Sequence, residues 1–145
     1  MHNVGSIFRT SDGVNLQELI LCGYTPTPPR SQISKVALGA ELNVPWRQME
    51  DPLEAVKEFR REGVQIVALE TGEAAMNLFE FEPQWPICLL VGNEVEGLSN
   101  ELRETADVTV SIPMLGMKES LNVSCAYSIS VYELLRKWQK IPGHY

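Results

Sequence analysis

Three short segments of this chain carry residue types that can do chemistry. In Asn3-Val4-Gly5-Ser6-Ile7-Phe8-Arg9-Thr10, the apolar spacing places Val4, Ile7, Phe8 and Ser11 on one helical face. Asn3 and Arg9 then stand at the polar edge. Arg9 can grip a phosphate or carboxylate through two parallel N–H donors, or it can be a surface arginine beside a helix-capping asparagine. In Val91-Gly92-Asn93-Glu94-Val95-Glu96-Gly97-Leu98, a buried strand runs into a turn with two glycines and a carboxylate between them. Such glycines let backbone approach a ligand closely, and Glu94 can orient a side chain or hydroxyl; an ordinary strand-to-helix loop has the same composition. The third segment runs from Ile112 through Pro113, Met114, Gly116, Met117 and Lys118 to Ser120-Leu121-Asn122-Val123-Ser124. It reads as a strand end, an apolar loop and a helix start. Backbone amides there can hold an electron-rich group, and Met114 and Met117 can enclose a flat, partly apolar adenine. Alternatively, the methionines simply pack and Ser120 or Asn122 caps the helix.

The elements that would position these residues are legible around them. Leu19–Cys22 reads as a strand entering the rigid loop Pro26-Thr27-Pro28-Pro29. Asp51-Pro52-Leu53-Glu54 is a helix start, with Asp51 as cap, and Leu53, Val56 and Phe59 share a face that ends at Gly63. Val64–Leu69, Ile87–Val91 and Val108–Ile112 are β-rich apolar runs. A short helix over Ser99–Ala106 and a long one over Asn122–Lys140 follow, the latter with Val123, Ala126, Tyr127, Ile129, Ser130, Leu134 and Trp138 on one broad side. Alternation of this kind predicts an α/β fold on a mostly parallel sheet flanked by helices. Ligands of such sheets sit beyond the carboxyl ends of the strands. The turns Glu70–Gly72, Gly92–Gly97 and Pro113–Ser120 are therefore where a site is expected.

Bulk properties narrow the classes. At 145 residues, with 44% hydrophobic and 21% charged residues, the chain is expected to form one soluble globular domain over residues 1–145. No apolar run is long enough for a membrane span, and Met1–Gly5 lacks the pattern of a secretory leader, so a cytoplasmic protein is expected. Histidine occurs only at His2 and His144, and Cys22, Cys88 and Cys125 lack metal-ligand spacing. Zinc sites and histidine triads are disfavoured, and the cysteines are expected as small buried hydrophobes. There is no GxGxxG and no GxxxxGK[ST], which disfavours dinucleotide and P-loop sites. A net charge of −7 opposes extensive phosphate contact. Any basic surface must be local, with Arg9, Arg30, Lys35, Arg47, Lys118, Arg136, Lys137 and Lys140 as candidates.

Taken in order, the segments NVGSIFRT, LLVGNEVEGLS and IPMLGMKESLNVSCAYSISVYEL resemble the three motifs of the SpoU/TrmH family of RNA ribose 2′-O-methyltransferases, within the SPOUT superfamily. Three motifs in register over residues 3–132 make the resemblance specific. It implies a C-terminal segment threaded into a deep trefoil knot, which no periodicity reveals, and an active site completed across a homodimer. It implies transfer of a methyl group from S-adenosylmethionine to a ribose 2′-hydroxyl in tRNA or rRNA. The cofactor would meet Leu69, Glu70, Thr71, Gly72, Gly92, Ile112, Met114, Ser120 and Leu121. Asn3, Arg9, Glu94, Ser120 and Asn122 match the family's polar catalytic positions. Family members usually have a strand before the first motif and some an accessory RNA-binding domain; neither has a counterpart here, so the N-terminal strand is expected to be missing. A non-catalytic S-adenosylmethionine or RNA binder and a base-methylating SPOUT relative are the alternatives.

Overall fold

The computed structural model describes residues 2–72, 74–93 and 96–144. Its contacts divide the chain into two compact units, Met1–Ala55 and Val56–Tyr145.

In the first unit, helix α1 (His2–Gly13) buries Val4, Phe8 and Ser11 of the predicted inner face, while Ile7 is only partly buried. It lies close against α2 (Ser31–Ala37). A Cβ on Gly5 would stand 2.7 Å from Val36 Cβ and 2.8 Å from the Ile33 carbonyl, so the first motif's glycine is a helix-crossing residue. Two strands, β1 (Leu19–Cys22) and β2 (Trp46–Met49), pair in parallel with Leu19 opposite Trp46. Phe8 meets Trp46 edge-to-face at 6.3 Å between ring centroids and joins Leu21, Ile33 and Ala37 in a small core. Neither α2 nor β2 is anticipated by the sequence pattern. Helix α2 has only seven residues, starts at Arg30 without a side-chain cap and ends on Leu38 at φ 54, so the usual start and stop signals are missing.

Helix α3 (Pro52–Arg61) begins as expected: Leu53 N donates to Asp51 Oδ1 at 3.0 Å, and Gly63 at φ 78 ends the run. The second unit then holds strands β3 (Gln65–Leu69), β4 (Met76–Asn77), β5 (Ile87–Val91) and β6 (Val108–Ser111) in the order β4-β6-β3-β5. Every pairing between these strands is parallel. The expected sheet thus exists as two separately hydrogen-bonded sheets, and β6 stops one residue before Ile112. β3 is central, with Ile66, Val67 and Ala68 fully buried. Val67, Leu78, Phe81, Val110 and Leu134 form the core on one face. Asp107 fixes the β3–β6 register: its Oδ2 accepts from Ile66 N at 2.7 Å, and its own N–H donates to the Ile66 carbonyl at 2.8 Å.

Helices α4 (Asn100–Thr105) and α5 (Val123–Gln139) start on their expected caps. Ser99 Oγ accepts from Leu102 N at 3.2 Å, and Asn122 Oδ1 accepts from Ser124 N at 2.9 Å. α5 buries Ser124, Tyr127, Ser130, Val131 and Leu134. Two expectations fail on this helix. Cys125 is exposed, not a buried hydrophobe, and Ile129 is also exposed. Both point outward with Tyr132 because their 3.6-residue spacing rotates them off the buried face. Cys22 and Cys88 are only partly buried.

Two of the expected basic-surface candidates on α5 are engaged within the protein. Arg136 Nη2 pairs with Glu133 Oε1, and Lys137 Nζ donates to the Phe79 and Phe81 carbonyls at 3.0 and 2.5 Å. In the first unit, Arg47 Nε likewise pairs with Glu18 at 3.1 Å. No helix among the described residues is long and apolar enough to cross a membrane.

Candidate functional site

A cavity of about 310 Å³ opens in the second unit, beyond the carboxyl ends of β3, β5 and β6. That volume sits at the lower end of the roughly 300–1,000 Å³ found for small-molecule pockets. Each of the three expected turns contributes to its wall. From the β3 end come Leu69, Glu70 and Thr71; from the β5 end Gly92, with Val91, Asn93, Glu96 and Gly97; from the segment after β6 Ile112, Met114, Ser120 and Leu121. Glu119, with Val123 and Ala126 of α5, and Arg103 of α4 complete the lining. Eight of the nine residues expected at a cofactor are therefore brought together. The ninth, Gly72, lines an adjoining cavity of about 350 Å³ with Ala74, Ala75 and Thr109. The two cavities share Glu70, Thr71 and Arg103.

The glycine turn is built by close approach. A Cβ on Gly92 would stand 2.6 Å from the Gly97 carbonyl oxygen and closer still to Leu98 N, so the backbone of residues 97–98 occupies the space a side chain would need. Asn93 closes the turn: its carbonyl accepts from Gly97 N at 3.0 Å and its Oδ1 from Glu96 N at 2.7 Å. Glu94, expected between the glycines as a catalytic residue, lies outside the described residues.

The apolar wall comes from Leu69, Val91, Ile112, Met114 and Leu121. Met117 takes no part in it: the side chain is 99% exposed, so only one of the two expected methionines faces the cavity. Among the described residues the lining carries three carboxylates, Glu70, Glu96 and Glu119, and one basic side chain, Arg103. Glu70 is held, its Oε1 accepting from Leu98 N at 3.1 Å and from Arg103 Nε at 3.0 Å. Arg103 carried no sequence signal. It sits three residues beyond the start of α4, where it reads as an ordinary surface residue until the fold sets it beside Glu70.

The remaining polar candidates occupy different settings. Ser120 lines the cavity. Asn122 is the α5 cap, its Oδ1 accepting both Ser124 N and Ser124 Oγ–H, the latter at 2.7 Å. Asn3 and Arg9 stand on α1 in the first unit, Arg9 exposed and Asn3 half-buried.

A parallel α/β sheet with a ligand-sized cavity at the carboxyl ends of three strands, walled by glycine turns, defines the class of α/β ligand-binding domains. Within that class, the SpoU rRNA Methylase family model matches residues 1–132, and the chain belongs to this family. A tRNA (guanosine(18)-2'-O)-methyltransferase of Aquifex aeolicus is 36% identical over 137 residues, 94% of this chain and 64% of that protein. A 23S rRNA (uridine(2479)-2'-O)-methyltransferase of Streptomyces viridochromogenes is 35% identical over 97% of this chain and 50% of its own length. This chain thus spans about half to two thirds of these relatives. Among solved structures, the SpoU methyltransferase AviRb from Streptomyces viridochromogenes, in complex with AdoMet, superposes with a TM-score of 0.85 at 33% identity, covering 98% of this chain and 57% of that one. The Aquifex aeolicus TrmH/SpoU tRNA modifying enzyme gives 0.86 at 34% identity, covering 96% and 70%.

Proposed function

We propose that the chain is an S-adenosylmethionine-dependent methyltransferase acting on a ribose 2′-hydroxyl of tRNA or rRNA, and that both compact units form one catalytic domain. The family model spans both units. The observation that carries the reading is the convergence of three strand-end turns on one cavity whose lining suits the donor. Leu69, Ile112, Met114 and Leu121 offer a slot for an adenine, and the carboxylates of Glu96 and Glu119, with Glu70 already paired to Arg103, favour a ligand bearing sulfonium and ammonium charge. Gly92 lets the backbone of residues 97–98 pack directly against it, which shapes the cavity wall on that side. Bound there, S-adenosylmethionine would supply a methyl group already activated toward a hydroxyl nucleophile.

The chain's own task is positioning and charge stabilisation. A guanidinium offers five N–H donors in a planar fork and no acceptor, so Arg9 is assigned to the phosphate beside the target ribose and to the developing alkoxide, not to the role of base. The hydroxyl proton then leaves to that phosphate or to water. Ser120 orients the ribose from the cavity side, and Asn122 does so while its Oδ1 caps α5. Asn3 and Glu94 complete the polar set in this reading. Discrimination for RNA follows from the 2′-hydroxyl itself.

A homodimer in the cytoplasm is part of the proposal. Its support is the outward stripe of Cys125, Ile129 and Tyr132 on α5. The trefoil knot is part of the proposal through the family membership, and the strand order β4-β6-β3-β5 is compatible with it. Incubation with labelled S-adenosylmethionine and total RNA, followed by nucleoside analysis, tests the reaction. The expected product is a 2′-O-methylated nucleoside. Label on a base would replace the ribose assignment, and donor binding without transfer would make the chain a non-catalytic binder.

A further inference from the structure

We propose that Glu70 is a positioning residue that clasps the glycine turn against the end of β3 and so holds the cavity wall shut. The clasp stands on geometry alone; its effect on donor binding rests on the methyltransferase reading. Glu70 is anchored first by its backbone, whose N–H donates to the Val110 carbonyl of β6 at 3.0 Å. Its carboxylate then reaches across the strand end. One oxygen, Oε1, accepts both Leu98 N at 3.1 Å and Arg103 Nε at 3.0 Å. Arg103 is fixed in turn, its Nη1 donating to Asn100 Oδ1 at 3.1 Å.

The turn is consequently gripped at two places. At one, the backbone of residues 97–98 fills the space beside Gly92. At the other, a Cβ on Gly97 would lie 3.5 Å from each Glu70 carboxylate oxygen, in ordinary contact. Gly97 sits at φ 66, a conformation that suits glycine, and this brings Leu98 N onto the carboxylate. The Glu70 side chain is only 17% exposed, so the Leu98 amide would lose a largely shielded partner without it. Both partners of the ion pair line the 310 Å³ cavity and the 350 Å³ cavity beside it.

This role differs from direct ligand contact, and the two separate experimentally. Glutamine at position 70 keeps an oxygen acceptor for Leu98 N but loses the charge; alanine loses both. In the full chain, Glu70→Ala is expected to speed amide exchange at Leu98 by about tenfold or more, relative to the Ala68 amide, while Glu70→Gln stays within about threefold of wild type. Calorimetry with S-adenosylmethionine is expected to follow the same order, about tenfold weaker for alanine and largely rescued by glutamine. Unchanged Leu98 exchange in Glu70→Ala overturns the clasp. Equal loss of donor affinity in both variants, which would mark a charge contact with the ligand, or a loosened turn with unchanged affinity, overturns the claim that the clasp holds the cavity wall. If the alanine variant does not fold, Glu70→Met, of similar size and without the oxygen acceptor, serves instead: faster Leu98 exchange supports the clasp, and wild-type exchange overturns it. Failure of the wild-type protein to bind the donor would sink the methyltransferase reading, and Leu98 exchange would still decide the clasp.

Discussion

At the scale of single residues, charge and burial separate side chains that look equivalent in the sequence. Arg9 is exposed on α1, and its proposed task needs a planar fork of donors, which lysine cannot supply. Arg9→Lys is expected to lower kcat by roughly 10- to 100-fold with donor affinity unchanged, read from labelled transfer to bulk tRNA and rRNA. Near-normal turnover would end the bidentate assignment. The cysteines separate by another measure. Burial pushes the Cys22 thiol up, and the Asp51 carboxylate adds to the effect. Thiolate is the reactive form, so at mildly alkaline pH Cys22 is expected to alkylate more slowly in the folded protein than in the denatured chain, as peptide mass analysis would report. Because the folded value is raised, the associated stability is intact below the ordinary thiol range and is lost as pH rises through the raised value. Cys125 was misjudged because apolar neighbours in sequence do not reveal which way a helix turns them.

At the scale of elements, boundaries with a local cause were legible and those without were not. Asp51, Ser99 and Asn122 announce helix starts through side-chain oxygens that accept backbone N–H groups two or three residues on. β5 matches its expected range because five apolar residues lie between turn formers. α2, β2 and the two-residue β4 owe their form to tertiary contact, so no local signal marks them. The candidate site divides in the same way. The cavity's glycine and apolar residues stood in motifs, whereas Arg103 became visible only beside Glu70. Two substitutions probe the motif elements. Gly92→Ala must push a Cβ into the residue 97–98 backbone, and a loss of about 2–4 kcal/mol is expected in denaturant melts together with loss of donor binding. Asn122→Ala should cost about 1 kcal/mol through the lost cap, while Asn122→Ser retains most of that stability. If Asn122 also orients the ribose, the serine variant stays folded but turns over slowly; full activity would leave it a cap alone.

At the scale of the whole molecule, a net charge of −7 and an outward apolar stripe on α5 point the same way. An acidic chain gains little from general phosphate attraction, so in the proposed function RNA affinity would have to come from few contacts, and a second subunit would double them. Tyr132→Glu places a charge in the stripe and is expected to shift the protein toward monomer in light scattering, with activity falling in parallel. A dimer that survives this change would place its interface elsewhere.

The strand order carries a consequence for synthesis. β6 pairs with both β3 and β4, yet about forty residues of chain separate it from β3. During translation β3 can find β5 early, but its other edge stays open until β6 emerges. That bare edge, made of Ile66, Val67 and Ala68, is the segment most prone to pair with a neighbouring chain. Growth of the polypeptide past residue 111 therefore marks the moment at which the nascent domain stops being a hazard to itself.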